Sequence, residues 1–237
     1  MAGADPIRQL DAILRPRSVA VIGASNTPGK YGHEILKNIQ DGGFQGAVYP
    51  INPKAETILN LRSFPSIKDT PEPADLAVVI IPARLVPQAV HDCGERGVRS
   101  AVIITGGFSE AGDEGAVLQQ QTAEAAKKFG VRVLGPNCQG VNNPYHRLCA
   151  SCPLLTYRGI VAVISQSGTV GAAMMDWFSE EKLGVSSFVA LFHFHVIADF
   201  TLEAHIGHNA IAGFWVDARH VASIRVAIRI AVFHIIE

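Results

Sequence analysis

Short apolar segments alternate with helix-like segments along the first part of the chain. The segment DLAVVIIPA (75–83) is apolar nearly throughout, which is typical of a strand covered on both faces. In HEILKNIQDGG (33–43), Ile35, Leu36 and Ile39 recur at helical spacing before two glycines end the segment. Because strands and helices alternate, the pattern predicts an α/β fold with a parallel sheet and helices on both faces.

A second strand–loop–helix unit follows a break in this rhythm, and IVAVISQSG (160–168) is its predicted strand and loop. The predicted organisation is a first domain at 1–142, a connector at 143–158 and a partial α/β domain at 159–237. The chain changes character after Leu191, because no lysine or proline follows and six of the nine histidines lie there. Residues 192–237 are therefore atypical of the rest.

Composition restricts the kind of protein that this chain can be and the kinds of partner that it can bind. The 237 residues are 48% hydrophobic and 17% charged, so a buried core is expected rather than disorder. The formal net charge is −1 and basic residues form no run, which argues against a nucleic-acid or acidic-membrane partner. No apolar stretch reaches the ~18–20 residues of a spanning helix, and the N-terminus lacks the apolar segment of a secretory signal. We expect a cytoplasmic protein.

The cysteines and histidines carry no strong metal signature. Cys149 and Cys152 form one CxxC pair, whereas a zinc site usually needs a second pair or matching histidines. The histidine pairs within FHFHVIADFTLEAHIGH (192–208) have no nearby constellation of acids. We therefore predict no metal site, and we expect Cys138 to be a small apolar filler rather than a nucleophile.

A glycine-containing loop joins the first strand to the next helix in VAVIGASNTPGKYGHEILKNI. Ala24 and Ser25 follow Gly23 where the GxGxxG fingerprint has its second glycine, and the residue after Lys30 is not the Ser or Thr of a P-loop. A loop between a parallel strand and a helix N-terminus still favours an anion, and Lys30 adds a positive charge. The sequence therefore predicts a phosphate-binding loop of neither standard type.

The end of the second predicted strand, AVYPIN (47–52), further restricts which ligands are possible. An NAD site would place Asp or Glu there to bond the ribose hydroxyls, but this chain has Asn52, Pro53 and Lys54. A lysine attracts phosphate, so the ligand should carry a phosphate on or near its ribose, as coenzyme A and NADP do. Other strand ends reach the same rim of the sheet, where a long, thin ligand could lie; their residues are Pro82, Ala83, Gly107, Phe108 and Asn137.

Six segments, in order, resemble the NDP-forming (ADP-forming) acyl-CoA synthetases, which are relatives of the succinyl-CoA synthetase α subunit. They are LRPRSVAVIGAS, VYPINPK, DLAVVIIPA, ITGGFSEAG, GPNCQG and VAVISQSGTVG, and the resemblance covers roughly residues 10–191. It implies a Rossmann-like parallel-sheet CoA-binding domain followed by a partial flavodoxin-like α/β domain. It also implies CoA contacts from the positions singled out above: Gly23, Ala24, Ser25, Lys30, Asn52, Pro53, Lys54, Pro82, Ala83, Gly107, Phe108 and Asn137.

The SQSG segment predicts a second anion site. Ser165 and Ser167 flank the end of a strand and Gly168 opens a helix, so hydroxyls and free N–H groups could hold a phosphate or an oxyanion. In the family that the chain resembles, this helix N-terminus is one of those that hold a phosphorylated catalytic histidine. His208, in GHNAIAG, matches that histidine poorly, because it lies only 41 residues after Ser167 and the family has a longer separation.

These observations predict the CoA- or acyl-CoA-binding part of an ADP-forming acid–CoA ligase. The resemblance implies that ATP or ADP and Mg²⁺ would be bound only through an ATP-grasp domain or β subunit, which we do not find in this sequence. Two alternatives stay open: a non-catalytic CoA-binding regulatory module, as in lysine acetyltransferases, and an NADP-binding oxidoreductase domain. We expect the change after Leu191 to reflect a shifted reading frame or a divergent tail.

Overall fold

The structure is a computed structural model that describes residues 6–152, 157–165, 167–190 and 231–234. Its α-helices are α1 (Pro6–Leu14), α2 (Tyr31–Asp41), α3 (Val86–Arg96), α4 (Asp113–Phe129) and α5 (Gly168–Glu180). Its strands are β1 (Ser18–Ile22), β2 (Ala47–Ile51), β3 (Thr57–Ile58), β4 (Leu61–Arg62), β5 (Leu76–Val79), β6 (Ser100–Ile103), β7 (Arg132–Leu134), β8 (Gly140–Asn143), β9 (Leu148–Ser151), β10 (Arg158–Ser165), β11 (Val185–Ala190) and β12 (Ala231–His234). Within these ranges, no helix has the length and apolar character needed to cross a membrane.

The first sheet is parallel and has the strand order β2-β1-β5-β6-β7. Strand β2 lies on one side of β1 and β5 on the other, so the direction in which strands are added reverses between β1 and β5. In open α/β sheets, ligands bind outside the carboxyl ends of the strands at such a reversal. The predicted α/β fold with a parallel sheet is confirmed, and its topology points to the loop after β1.

Helices cover both faces of this sheet, and the alternation of side chains along β1 explains why. Val19 and Val21 point to one apolar core, which also contains residues of α2 and of the second sheet. Ala20 and Ile22 point to the other core, which contains residues of α3 and α4. Since successive side chains of a strand point to opposite faces, the part of a strand that is buried on both sides must be apolar, as residues 19–22 of β1 are.

The second sheet is mixed and has the strand order β12-β10-β11-β8-β9. Strands β10 and β11 are parallel, whereas β8, β9 and β12 pair with their neighbours in antiparallel fashion. The segment predicted as a connector therefore contains strand β9, and β8 and β9 form a hairpin that extends this sheet. The prediction missed the hairpin because its turn contains no glycine: Arg147 takes the left-handed conformation at φ 53°, and the side chain of Asn143 accepts hydrogen bonds from Tyr145 N and His146 N.

The hairpin also ties the two sheets together. The side-chain amide of Asn38, on α2, donates to the carbonyl oxygen of Ser151 over 2.9 Å, and that of Asn143 donates to Leu14 O over 2.9 Å. Leu148 of β9 lies in the same apolar core as α2. The described parts of the two predicted domains thus share one core, and the domain limits remain predictions.

Candidate functional site

The loop after β1 lies against the end of β5 because Gly23 has no side chain. Gly23 has φ +98°, and a Cβ atom there would lie 2.2 Å from the carbonyl oxygen of Ile80. Gly32, in the first turn of α2, approaches just as closely, because its Cβ would lie 2.0 Å from Gly23 O. The two glycines bring the strand end and the helix start together at the reversal of the sheet.

The inside of this loop is held by its own hydrogen bonds. Ser25 Oγ accepts from Thr27 N at 3.0 Å, and Ala24 is fully buried. Glu34 Oε1 accepts from Gly29 N at 2.8 Å, so this N–H group of the loop is already bonded to a carboxylate. The loop therefore presents a fixed backbone, and its charge toward a ligand comes from the exposed side chain of Lys30.

The turn after β2 is joined to this loop through Asn52. Its side-chain amide donates to Ala24 O at 2.8 Å, and its side-chain oxygen accepts from Lys54 N at 2.8 Å. Pro53 and Lys54 lie exposed at the tip of the turn. The predicted residues of the two loops are thus brought to one place on the rim.

The two lysines of this rim differ from Lys37 and Lys68, which are held in ion pairs. Lys37 pairs with Asp41, and Lys68 pairs with Asp92 and Glu95. By contrast, Lys30 and Lys54 form no ion pair with any residue that the structure describes. Two ammonium groups with no ion-pair partner among the described residues, one in the glycine loop and one in the neighbouring turn, leave an excess of positive charge where an anionic ligand would lie.

The strand ends farther along the rim lie close to one another. A Cβ atom on Gly107, which has φ +97°, would be 3.4 Å from the Cβ of Ala83, so the loops after β5 and β6 are neighbours. Pro82 and Gly107 are exposed, whereas Phe108 is fully buried in the core beside α4. Any ligand contact at Phe108 or Ala24 must therefore come from the backbone, because neither side chain reaches the surface.

A cavity of about 350 Å³ opens between the first sheet and the start of α5. Its lining residues are Tyr31, Ile80, Ile104, Thr105, Gly106, Asn137, Cys138, Gln139, Gly168 and Thr169. Of these, Asn137 and Gly168 were predicted from the sequence as site residues. Gln139, Tyr31 and Thr169 were not predicted, although each stands within three residues of a predicted position, which is the signal that could have found them.

Two lining residues of the cavity have a mainly structural role. Cys138 is buried, its thiol lies 3.4 Å from Ile103 O, and burial raises its pKa to about 12. This agrees with the expected apolar filler, since a thiol with such a pKa is a poor nucleophile at neutral pH. Asn137 has φ 52°, and its N–H bonds Thr105 O at 2.9 Å, which fixes the turn after β7.

The predicted anion site at the start of α5 is a capped helix terminus. Ser167 is the N-cap, and its Oγ accepts from Val170 N at 3.3 Å. Ser165 is fully buried, and its Oγ donates to Ser167 O at 2.8 Å, so Ser165 shapes the turn rather than facing a ligand. Gly168 remains at the cavity wall. Of the three predicted residues, Ser167 and Gly168 are the two that stand where a ligand could reach them.

The histidines of the atypical tail, including His208, lie outside the described residues. Elsewhere, ligand atoms of His91, Asp92 and Glu95 lie within 4.8 Å of one another. The ammonium group of Lys68 already stands 2.8 Å from Asp92 and 2.7 Å from Glu95. This cluster is therefore neutralised by a lysine rather than set up for a metal ion.

Two segments of the chain match known protein families. Residues 17–144 match the family described as CoA binding domain, and residues 158–195 match the succinyl-CoA ligase like flavodoxin domain.

Individual relatives agree with these matches. The chain is 44% identical, over 77% of its length, to the alpha subunit of the ADP-forming acetate–CoA ligase I of Pyrococcus furiosus. It is 40% identical, over 76% of its length, to the ADP-forming 4-hydroxybutyrate–CoA ligase of Nitrosopumilus maritimus. It spans 40% of the first of these proteins and 26% of the second.

A solved structure shows the same likeness. It is the dinucleotide forming acetyl-coenzyme A synthetase 1 of Ca. Korarchaeum cryptofilum in complex with phosphate and ADP, with a TM-score of 0.74 and 41% identity. The match covers 78% of this chain and 40% of that one.

Proposed function

The chain belongs to the CoA binding domain family, and we propose that it binds coenzyme A or acyl-CoA along the carboxyl rim of its first sheet. Its similarity to α subunits of ADP-forming acid–CoA ligases supports a role as the CoA-binding part of such a ligase. Since the chain spans 40% of those relatives, the remaining steps of the reaction fall to sequence outside the match.

The observation that carries this proposal is that the ammonium groups of Lys30 and Lys54 form no ion pair within the described part of the chain. Coenzyme A carries a 3′-phosphate on its ribose and a diphosphate, and two cations on the rim suit both groups. We assign the 3′-phosphate to Lys54 and the diphosphate to Lys30 and the backbone of the Gly23 loop. Asn52 serves indirectly, because it holds these two parts of the rim together.

The rest of the ligand would follow the strand ends. With neighbouring strands about 4.8 Å apart, the distance from β2 to β7 is about 19 Å. A pantetheine chain laid along this rim passes Pro82, Gly107 and Asn137. Exposed proline and glycine residues there let a thin chain approach the backbone closely.

The partner of this chain is proposed from the same similarity. ATP or ADP and Mg²⁺ would be bound by an ATP-grasp domain or β subunit, and Ser167 and Gly168 would face a phosphoryl group at the start of α5. Without that partner, the chain binds CoA but does not complete the ligase reaction. Co-purification with an ATP-grasp protein would support this arrangement over a stand-alone regulatory module.

The experiment that tests CoA binding compares CoA with 3′-dephospho-CoA by titration calorimetry. A partly solvated ion pair contributes about 1 kcal/mol, so the wild-type protein should bind CoA about five-fold more tightly. The Lys54→Ala variant should lose this preference, whereas Lys37→Ala, which removes an equal charge elsewhere, should keep it. Equal affinity of the wild-type protein for both ligands would refute the assignment of Lys54.

The NADP alternative is tested in the same series. If the protein binds NADPH, detected by nicotinamide fluorescence, and an excess of CoA does not displace it, the oxidoreductase interpretation replaces ours. Failure to bind any of the three ligands would refute the proposed function itself.

A further inference from the structure

The cavity beside α5 lies at the end of the rim where the reactive end of CoA would arrive. The direction of the ligand rests on the proposed function, in which Lys54 holds the 3′-phosphate. With the nucleotide at β2 and β1, the sulfur atom reaches the ends of β6 and β7, where Thr105 and Asn137 line the cavity. An acyl group on that sulfur would then occupy the cavity of about 350 Å³.

Two polar groups of the cavity wall are already bonded within the protein. The hydroxyl of Thr105 donates to Ile81 O at 2.8 Å, and the thiol of Cys138 lies 3.4 Å from Ile103 O. The carboxamides of Asn137 and Gln139 form no hydrogen bond with any group in the described part of the chain, and of the two it is the Gln139 side chain that lies against the first residue of α5. The Gln139 carboxamide is half-buried, so it has hydrogen-bonding capacity to offer inside the cavity.

The position of the Gln139 side chain is restricted by α5. A Cβ atom on Gly168 would lie 2.4 Å from Gln139 Cγ and 3.0 Å from its Nε2, so the glutamine packs directly on the first residue of the helix. The absence of a side chain at Gly168 thus makes room for Gln139. The amide is placed between the loop after β7 and the N-terminus of α5, where the helix dipole also favours a partially negative atom.

We propose that Gln139 is the residue that recognises the acyl thioester, with its side-chain N–H donating to the thioester carbonyl oxygen. Free CoA ends in a thiol and has no carbonyl group at this place. The contact therefore distinguishes acyl-CoA from CoA, and it belongs to binding rather than to a covalent step. Thr169, also on the cavity wall, is exposed.

The test uses acetyl-CoA and its thioether analogue S-ethyl-CoA, which has nearly the same size and lacks the carbonyl oxygen. Titrations of the full chain should show roughly three- to ten-fold tighter binding of acetyl-CoA, the range expected for one hydrogen bond between neutral groups. Gln139→Met keeps the length of the side chain and removes its hydrogen bonds, so it should bind both ligands equally. Gln139→Glu, an acceptor at neutral pH, should bind acetyl-CoA no better than S-ethyl-CoA.

Gln120→Met is the matched control, because Gln120 lies exposed on α4 and bonds Glu124 there. It should keep the wild-type preference. If the wild-type protein does not distinguish the two ligands, or if Gln139→Met still does, this proposal is wrong while CoA binding stands. If neither CoA nor acetyl-CoA binds at all, the proposed function fails, and this inference fails with it.

Discussion

The side-chain amide of Asn52 donates a 2.8 Å hydrogen bond to the carbonyl oxygen of Ala24. The two residues stand 28 positions apart in the chain and follow neighbouring parallel strands. Asn52 also accepts from Lys54 N, so one side chain determines how the turn that carries Lys54 lies against the glycine loop. The charge of the rim is thus positioned by a neutral residue.

Asn52→Asp should weaken CoA binding although it touches no phosphate in our assignment. A carboxylate can still accept from Lys54 N but cannot donate to Ala24 O, and its charge opposes an anionic ligand. We expect the free energy of unfolding to fall by about 1 kcal/mol, measured by urea denaturation. CoA affinity should fall as well, measured by calorimetry.

Asn52→Ala separates the two causes in the preceding prediction. It removes the hydrogen bonds without adding a negative charge, so its loss of CoA affinity should be smaller than that of the aspartate variant. Equal CoA affinity in Asn52→Asp and the wild-type protein would show that Asn52 does not position the rim.

Gly32→Ala should destabilise the protein by close contact rather than by backbone strain. The new Cβ would lie 2.0 Å from Gly23 O, and neither backbone can move without separating α2 from β1. We expect a loss of about 1–3 kcal/mol in the free energy of unfolding. Gly29→Ala is the comparison: its Cβ would meet nothing within 4 Å, but its φ of +80° costs a non-glycine residue about 1 kcal/mol.

Both glycine variants are measured by urea denaturation at neutral pH, with CoA affinity as the second readout. Gly32→Ala should lose both stability and CoA affinity, because the strand end and helix start separate. If Gly32→Ala is as stable as Gly29→Ala, the close approach of α2 to the loop is not required for folding.

Asp75 should make the stability of the protein depend on pH in the acid range. Burial alone would raise its pKa, but hydrogen bonds from the Arg17 side chain and backbone, with the charges of Arg17 and Arg99, hold the pKa below its usual value. The unfolded chain therefore takes up a proton first, near pH 3.9, and the stabilisation is lost as the pH falls further toward the folded pKa.

The Asp75→Asn variant measures this contribution. At pH 7 we expect it to be about 1–2 kcal/mol less stable than the wild-type protein, since it loses hydrogen bonds to a charged acceptor. The difference should shrink as the pH falls below about 4. A difference that stays constant over that range, in urea denaturation followed by circular dichroism, would contradict the assignment.

Cys138 should resist alkylation even though it lines the cavity. Burial raises its pKa to about 12, so only about one thiol in ten thousand is ionised at pH 8. Cys152 is less buried, and its pKa is raised to about 11, mainly by burial, so it should react slowly but before Cys138. Peptide mapping after iodoacetamide treatment at pH 8 gives the order, and urea should make both reactive. Rapid labelling of Cys138 in the folded protein would contradict its role as a filler.

Local sequence patterns were enough to predict the first sheet. Apolar segments such as 75–83 predicted buried strands because a strand covered on both faces can carry few polar side chains. The glycines and lysines at the strand ends predicted an anion-binding rim, since parallel strands bring their carboxyl ends to one edge. These inferences need only the period of the side chains and the chemistry of the residues next to each strand.

What the sequence by itself determined was therefore the alternation of strands and helices, the rim, and the charge of its lysines. The tertiary structure decided which of those residues are exposed on the rim and which are buried. Phe108 and Ser165 stand at predicted positions, yet both are fully buried, because packing from distant elements covers them. The same packing brings Gln139 against Gly168 and joins the β8–β9 hairpin to the second sheet. Contacts between residues far apart in the chain leave no local periodicity, so only the folded arrangement reveals them.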